Sequence, residues 1–149
     1  WEADTVLGKN GTGAIVSLVE RKSKFYLIRK VPAKSAEEVS RAMIGMLWRY
    51  RRHVHTITAD NGTEFCGHEL VAEKLKTDIY FANPYSSWER GLNENFNGLL
   101  RQYISKGTDL GTVTHEQIAQ AQRALNLRPR KCLGYKQPEV VFNKLRGAA

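Results

Sequence analysis

Aspartate is scarce in this chain, and two of its occurrences sit where chemistry would want them. There are four in 149 residues: Asp4, Asp60, Asp78 and Asp109. Asp4 lies inside WEADTVL, an apolar-rich stretch that reads as a strand, where aspartate is disfavoured. Asp60 closes a second strand-like run, VHTITA, and opens the turn Asp60-Asn61-Gly62. If these two strands are neighbours, the carboxylates converge. Two like charges held close cannot both stay ionised cheaply unless a cation lies between them. Oxygen-only ligands suit Mg²⁺ or Mn²⁺. Two such ions about 4 Å apart stabilise the attacking and leaving oxygens of an in-line phosphoryl displacement. Each acid also has a plainer reading, Asp60 as a turn-former and Asp4 as an edge-strand residue facing water. Spacing alone leaves both readings open.

A third carboxylate, Glu94, stands in Asn93-Glu94-Asn95-Phe96-Asn97. Asparagine is a mediocre helix former, yet the surrounding pattern from about Trp88 to Ile104 is helical. Leu92, Phe96, Leu99, Leu100 and Tyr103 make one apolar stripe. At about 100° per residue Glu94 falls roughly opposite it, beside Gly98 and Arg101. Asn97 is one turn along and can hydrogen-bond a ligand near Glu94. A merely solvated helix face fits the same pattern. Glu89, at the helix start, suits the helix dipole without further role. Tyr85, Ser86 and Tyr103 are the nearest candidate nucleophiles, but no basic constellation supports them. His53, His55, His68 and His115 show no metal spacing with Cys66 and Cys132, whose thiols are expected to stay reduced.

Strands are expected at 1–7, 14–20 and 25–31, joined by turns. Ser35 with Glu38 reads as a capping box opening a helix lined by Val39, Met43, Met46, Leu47 and Tyr50. The strand at 54–59 precedes a short helix over 64–75 and a strand at 79–82. After the loop at 83–87 and the long helix comes a second capping box, Thr114 with Gln117. It opens a helix carrying Ile118, Ala121 and Leu125, and a tail with Pro138 and Val140-Val141 follows. A meander followed by alternating strands and helices predicts an α/β fold with a mixed sheet and helices on both faces.

Composition agrees. The chain is 42% hydrophobic and 26% charged, which fits one globular domain over residues 1–149 and excludes wholesale disorder. No apolar run reaches the ~20 residues of a membrane span, and the first ten residues carry no secretory signal, so a cytoplasmic setting is expected. The chain opens at Trp1 and enters strand-like sequence at once, as a piece cut from a longer protein would. Lys and Arg exceed Asp and Glu by 23 to 15, a surplus of +8 that fits a polyanion, nucleic acid before membrane surface. Candidate phosphate contacts are Arg90, Arg101, Lys106 and the Arg21-Lys22-Lys24 turn, any one of which also reads as a solvated charge. Tyr85 and Trp88 are candidates to stack on an unpaired base, or to pack at the loop–helix junction.

WEADT, TADNGTEF and NPYSSWERGLNENFNGLLRQY resemble the catalytic core of DDE transposases and retroviral-type integrases, most nearly bacterial insertion-sequence transposases of the IS-thirty type. LVERKSKFYLIRKV, RQYISKGTD and LNLRPRKCLGYKQPEVVF extend the likeness over nearly the whole chain. The resemblance implies a ribonuclease-H-like fold, with a mixed five-stranded sheet and helices on both faces. It implies a catalytic, metal-binding triad of Asp4, Asp60 and Glu94, the last separated from Asp60 by 33 residues. Two Mg²⁺ or Mn²⁺ ions are then expected with DNA bound. The reaction implied is cleavage by water at a transposon end, then attack of the freed 3′-hydroxyl on target DNA. The active complex is expected to be a homo-oligomer on DNA at the bacterial nucleoid. Leu127 departs from the family's usual Asn-Asn-Arg-Pro, and the family's N-terminal helix-turn-helix region does not match any part of this chain. A hydrolytic nuclease on the same fold, or a catalytically silent DNA-binding or oligomerisation module, are the competing readings.

Overall fold

The computed structural model describes residues 1–148, Ser87 by its backbone alone. Strands β1 (Glu2–Leu7), β2 (Ala14–Val19) and β3 (Tyr26–Val31) form the opening meander. Then come α1 (Ala36–Leu47), β4 (Thr56–Ala59), α2 (His68–Leu75), β5 (Asp78–Phe81), α3 (Gly91–Leu100), α4 (His115–Leu127) and α5 (Pro138–Leu145). The sheet order is β3-β2-β1-β4-β5, with β1 antiparallel to β2 and parallel to β4. The mixed five-stranded sheet expected from the sequence is therefore present, and its first and fourth strands are neighbours. Gly13 is needed at the turn into β2: its φ is +93°, and a Cβ there would lie 2.7 Å from the Val31 carbonyl oxygen.

Both faces of the sheet are covered. Ala3, Ala14, Val16, Leu18 and Leu27 pack on one side with Val39, Met43 and Leu47 of α1, Val71 and Leu75 of α2 and Phe142 of α5. Val6, Ile15, Val19, Tyr26 and Ile28 pack on the other with Phe96 and Leu100 of α3 and Ile118, Ala121 and Leu125 of α4. This explains why β2 reads as an unbroken apolar run: every one of its residues is buried. Strand alternation places Glu2 and Asp4 on Val6's side, under α3.

Several element boundaries differ from expectation. At the start of α1 the Ser35 hydroxyl accepts from the Glu38 amide, but Glu38 turns to Arg41 instead of back to the cap, so the box is half made. The box at Thr114 and Gln117 is complete. The helix read over 64–75 is a 3-10 turn at Thr63–Phe65 and then α2, interrupted where Gly67 presses on Ser40 and Ala36 of α1. The helix read over 88–104 is a 3-10 turn at Ser87–Arg90 followed by the shorter α3, so Tyr103 falls beyond it and is exposed instead of completing the stripe. The tail is a helix, α5. Among the described residues no helix is long and apolar enough to cross a membrane.

Candidate functional site

Asp4 sits at the middle of the central strand, opposite Ser17, so the water-facing edge reading does not hold. Its side chain is 17% exposed. Oδ1 accepts from the Thr5 amide at 2.9 Å and faces Arg90 Nη2 at 2.8 Å. Oδ2 accepts from Asn97 Nδ2 at 2.8 Å. Burial pushes the Asp4 carboxyl above the ordinary aspartate value, and the Asp60 charge adds to it; Arg90 and the Thr5 amide pull down without cancelling this.

Asp60 follows the last residue of β4. Its Oδ1 accepts from the Gly62 amide at 2.9 Å, so it does form the turn. Its Oδ2 is left free to meet Arg90 Nη1 at 3.2 Å. Turn-former and candidate ligand are thus one residue using two oxygens. Gly62 is glycine for a steric reason: a Cβ there would collide with the Glu64 and Asp60 carboxylates.

One guanidinium therefore bridges the two acids. Arg90 was a candidate phosphate contact; in the structure its charge is turned inward, with the side chain 18% exposed. Asn97 likewise faces inward. Its Oδ1 accepts from the Ser17 hydroxyl at 3.1 Å and the Tyr26 hydroxyl at 3.4 Å while Nδ2 donates to Asp4. Burial drives the Tyr26 phenol strongly upward, so it remains a donor here.

Glu94 is exposed on α3, on the side away from Phe96 and Leu100 as its phase predicts. It lines an open cleft of about 260 Å³ with Asp60, Arg90, Asn83 and Tyr85. Asp4, Asp60 and Glu94 are not gathered around one point: among the described residues no three His, Cys, Asp or Glu side chains form a group able to hold a metal ion. The first two meet on Arg90, and the third stands across the cleft.

The remaining DNA-contact candidates divide. Tyr85 is wholly exposed with φ +63°, and Trp88 is 78% exposed, so neither packs at the loop–helix junction. Lys106 is exposed. Arg101 is half-buried and, among the described residues, reaches only the Ser105 carbonyl, at 3.5 Å. Arg21 is structural, pairing with Glu2 at 3.0 Å and donating to the Glu89 carbonyl. Cys66 and Cys132 are free and exposed.

Glu64 and Ser17 escaped the sequence reading of the site, and Glu89 was read too simply. Glu64 is 3% exposed, bound by Lys34 and the Thr5 hydroxyl, both at 2.9 Å. Burial alone would raise its pKa, but the bonds from Lys34 and Thr5 outweigh it and hold the carboxyl below its usual value. Glu89 does more than suit a helix start: its carboxylate accepts from the Asn83 amide and side chain, pinning the loop. Ser17 had a visible signal, a lone hydroxyl in the middle of AIVSLV.

No protein-family model matches the chain. It is 48% identical over 144 residues to the transposase for insertion sequence element IS4351 of Bacteroides fragilis, covering 97% of this chain and 44% of that protein. It is 34% identical to the transposase InsI for insertion sequence element IS30C of Escherichia coli K12, covering 97% of this chain and 38% of that one. The chain thus spans less than half the length of these curated relatives. Among solved structures, the catalytic core domain of BIV integrase superposes with a TM-score of 0.77 at 21% identity, covering 99% of this chain and 95% of that one. Over nearly its whole length, then, this chain is a homologue of one segment of the insertion-sequence transposases, folded as the ribonuclease-H-like core of an integrase.

Proposed function

We propose that this chain is the catalytic core of a DNA transposase, cutting at the ends of a mobile element and joining the freed 3′-hydroxyl to target DNA in a divalent-metal-dependent reaction. The observation that carries this is the convergence of Asp4 and Asp60, distant in sequence, on one guanidinium at adjacent central strands. The donor set fits Mg²⁺ or Mn²⁺: it offers only oxygens, and a cation already sits between the two carboxylates. Asp4 and Asp60 would hold the ion, and Glu94, across the same cleft, would be the third donor. Bound divalent ions supply Lewis acidity to an in-line displacement at phosphorus.

The chain's own residues set that chemistry up. Thr5 and Asn97 fix the Asp4 carboxylate, and the Gly62 amide fixes Asp60, so neither has to be ordered during reaction. The exposed Tyr85 and Trp88, on the loop leading into α3, are suited to stack on an unstacked base. Lys106 and Arg101 lie beyond the far end of α3 as backbone contacts. DNA ends and target are the partners, a homo-oligomer is the active assembly, and the bacterial nucleoid in the cytoplasm is its place of action.

The test is alanine at Asp4, Asp60 and Glu94 in turn. Duplex binding should survive in each while cleavage and strand transfer disappear. Cutting that persists in Asp60→Ala would remove the triad assignment. On a pre-cut end the wild type should join strands; hydrolysis without joining would make the protein a nuclease instead.

A further inference from the structure

Arg90 occupies the space in which a cation shared by Asp4 and Asp60 has to sit. Nη2 lies 2.8 Å from Asp4 Oδ1 and Nη1 lies 3.2 Å from Asp60 Oδ2, so the fork is divided between the two acids. A guanidinium and a divalent ion cannot both fill that gap. The arrangement relieves the repulsion of two neighbouring carboxylates, one of them largely buried, but Arg90 is not otherwise well satisfied: its Nε is buried without a hydrogen-bond partner among the described residues. Its backbone lies at the joint between the 3-10 turn Ser87–Arg90 and α3, with φ −129° and ψ 17°, outside helical geometry. The cleft beside it is open, and among the described residues no atom beyond its chain neighbours and its own helix lies within 4 Å of where a Gly91 Cβ would be.

We propose that Arg90 is a resident counter-ion that holds the metal-free carboxylate pair and exchanges its partner, leaving Asp4 and Asp60 to the divalent ion and transferring its fork to a phosphate of the bound strand. This rests on the proposed function above and deepens it. Guanidinium binds a phosphodiester with the same two-pronged geometry it uses on a carboxylate. The exchange makes metal and DNA binding reciprocal. DNA that takes Arg90 removes a competitor for the metal site, and metal that displaces Arg90 offers a free cation to DNA. By linkage the two effects are equal in free energy.

The experiment measures Mn²⁺ binding by calorimetry and by electron spin resonance, with no turnover, in wild type, Arg90→Gln, Arg90→Lys and Asp60→Asn, with and without a short non-cleavable duplex. Wild type should bind Mn²⁺ more tightly when DNA is present, by about five-fold or more, the low end of ordinary coupling. Arg90→Gln without DNA should already bind more tightly than wild type, and DNA should add little. Arg90→Lys, which keeps the charge but loses the fork, guards against a folding defect in the glutamine variant and should fall between the two. Mn²⁺ affinity unchanged or weakened in both Arg90 variants, while Asp60→Asn abolishes binding, overturns the exchange and leaves the carboxylate site standing. Mn²⁺ binding that survives Asp60→Asn at wild-type strength overturns the site itself, and the exchange with it.

Discussion

Asp4 is held in a place that favours its neutral form. Burial raises its pKa, the nearby Asp60 raises it further, and Arg90 with Thr5 only partly compensates. A carboxyl whose folded pKa lies above its unfolded value contributes stability while protonated, and that contribution falls as pH rises from the unfolded value through the folded one. At neutral pH the ionised Asp4 is therefore a stability cost retained at the candidate site, a pattern familiar where function needs converging charge. Asp4→Asn imitates the protonated state. In metal-free buffer at pH 7 its Tm should rise above wild type, while cleavage is lost. The difference should shrink as pH falls below the ordinary aspartate range near 3.9, where both side chains are neutral. A thermal melt across pH reads this directly, and a lower Tm at pH 7 would mean that the Arg90 contact outweighs burial. How much of this was legible in sequence depended on the residue. Asp4 and Asp60 announced themselves by standing in and at the end of strands. Arg90's inward turn did not, because an arginine in a +8 chain looks like every other cation until its partners are brought from Asp4 and Asp60.

Among the elements, those with a strong period or a complete cap were readable: β1 to β5 are all found within two residues of their expected bounds, and Thr114 starts α4 as its box requires. α5 was missed because it is short and the apolar pair Val140-Val141 does not supply its docking residue. Val140 is exposed, and Phe142 is the residue that docks. Pro138 at the first turn with Glu139 behind it was the available signal. Phe142 stacks on Phe25 with centroids 4.4 Å apart and meets Trp1 and Tyr50 edge-on at 5.7 and 5.2 Å. Phe142→Ala should cost about 3–5 kcal/mol in denaturant unfolding, the usual range for an emptied aromatic site. A loss under about 1 kcal/mol would show that α5 is an ornament on the fold. α4 plays a different role, one that packing periodicity does not announce: it closes an edge. The Asn126 side chain accepts from the Tyr26 amide at 2.8 Å and donates to its carbonyl at 2.7 Å, and Gln122 accepts from the Ile28 amide at 2.8 Å. Two helix amides thereby occupy backbone groups that an exposed β3 would offer to another chain. Asn126→Ala leaves the Tyr26 pair unsatisfied and should cost about 1–3 kcal/mol.

At the scale of the whole molecule the surplus of +8 is not spread evenly in its use. Arg21, Lys34, Arg41 and Arg90 are committed to carboxylates. Arg51, Arg52, Lys74 and Lys76 line one groove and Lys106 follows α3; among the described residues none of them forms an ion pair. Free cations release counterions when they meet phosphates, so duplex affinity should fall linearly with log salt concentration, with a slope near −0.9 per phosphate neutralised. Arg21, Lys34 and Arg41 should contribute little to that slope, since their charge is already answered inside the protein, whereas Arg90 joins it once a divalent ion takes its two carboxylates. This gives a comparison within one chain. Lys106→Ala should flatten the salt slope by about one unit, because Lys106 is an exposed, unpaired cation among the described residues, just beyond the helix that carries Glu94. Arg41→Ala, which breaks only the exposed pairs with Glu37 and Glu38, should leave the slope unchanged. Equal slopes for the two variants would mean that DNA lies along another face, and that the free cations of the Arg51–Lys76 groove, at the end of β4 opposite Asp60, carry the contact instead.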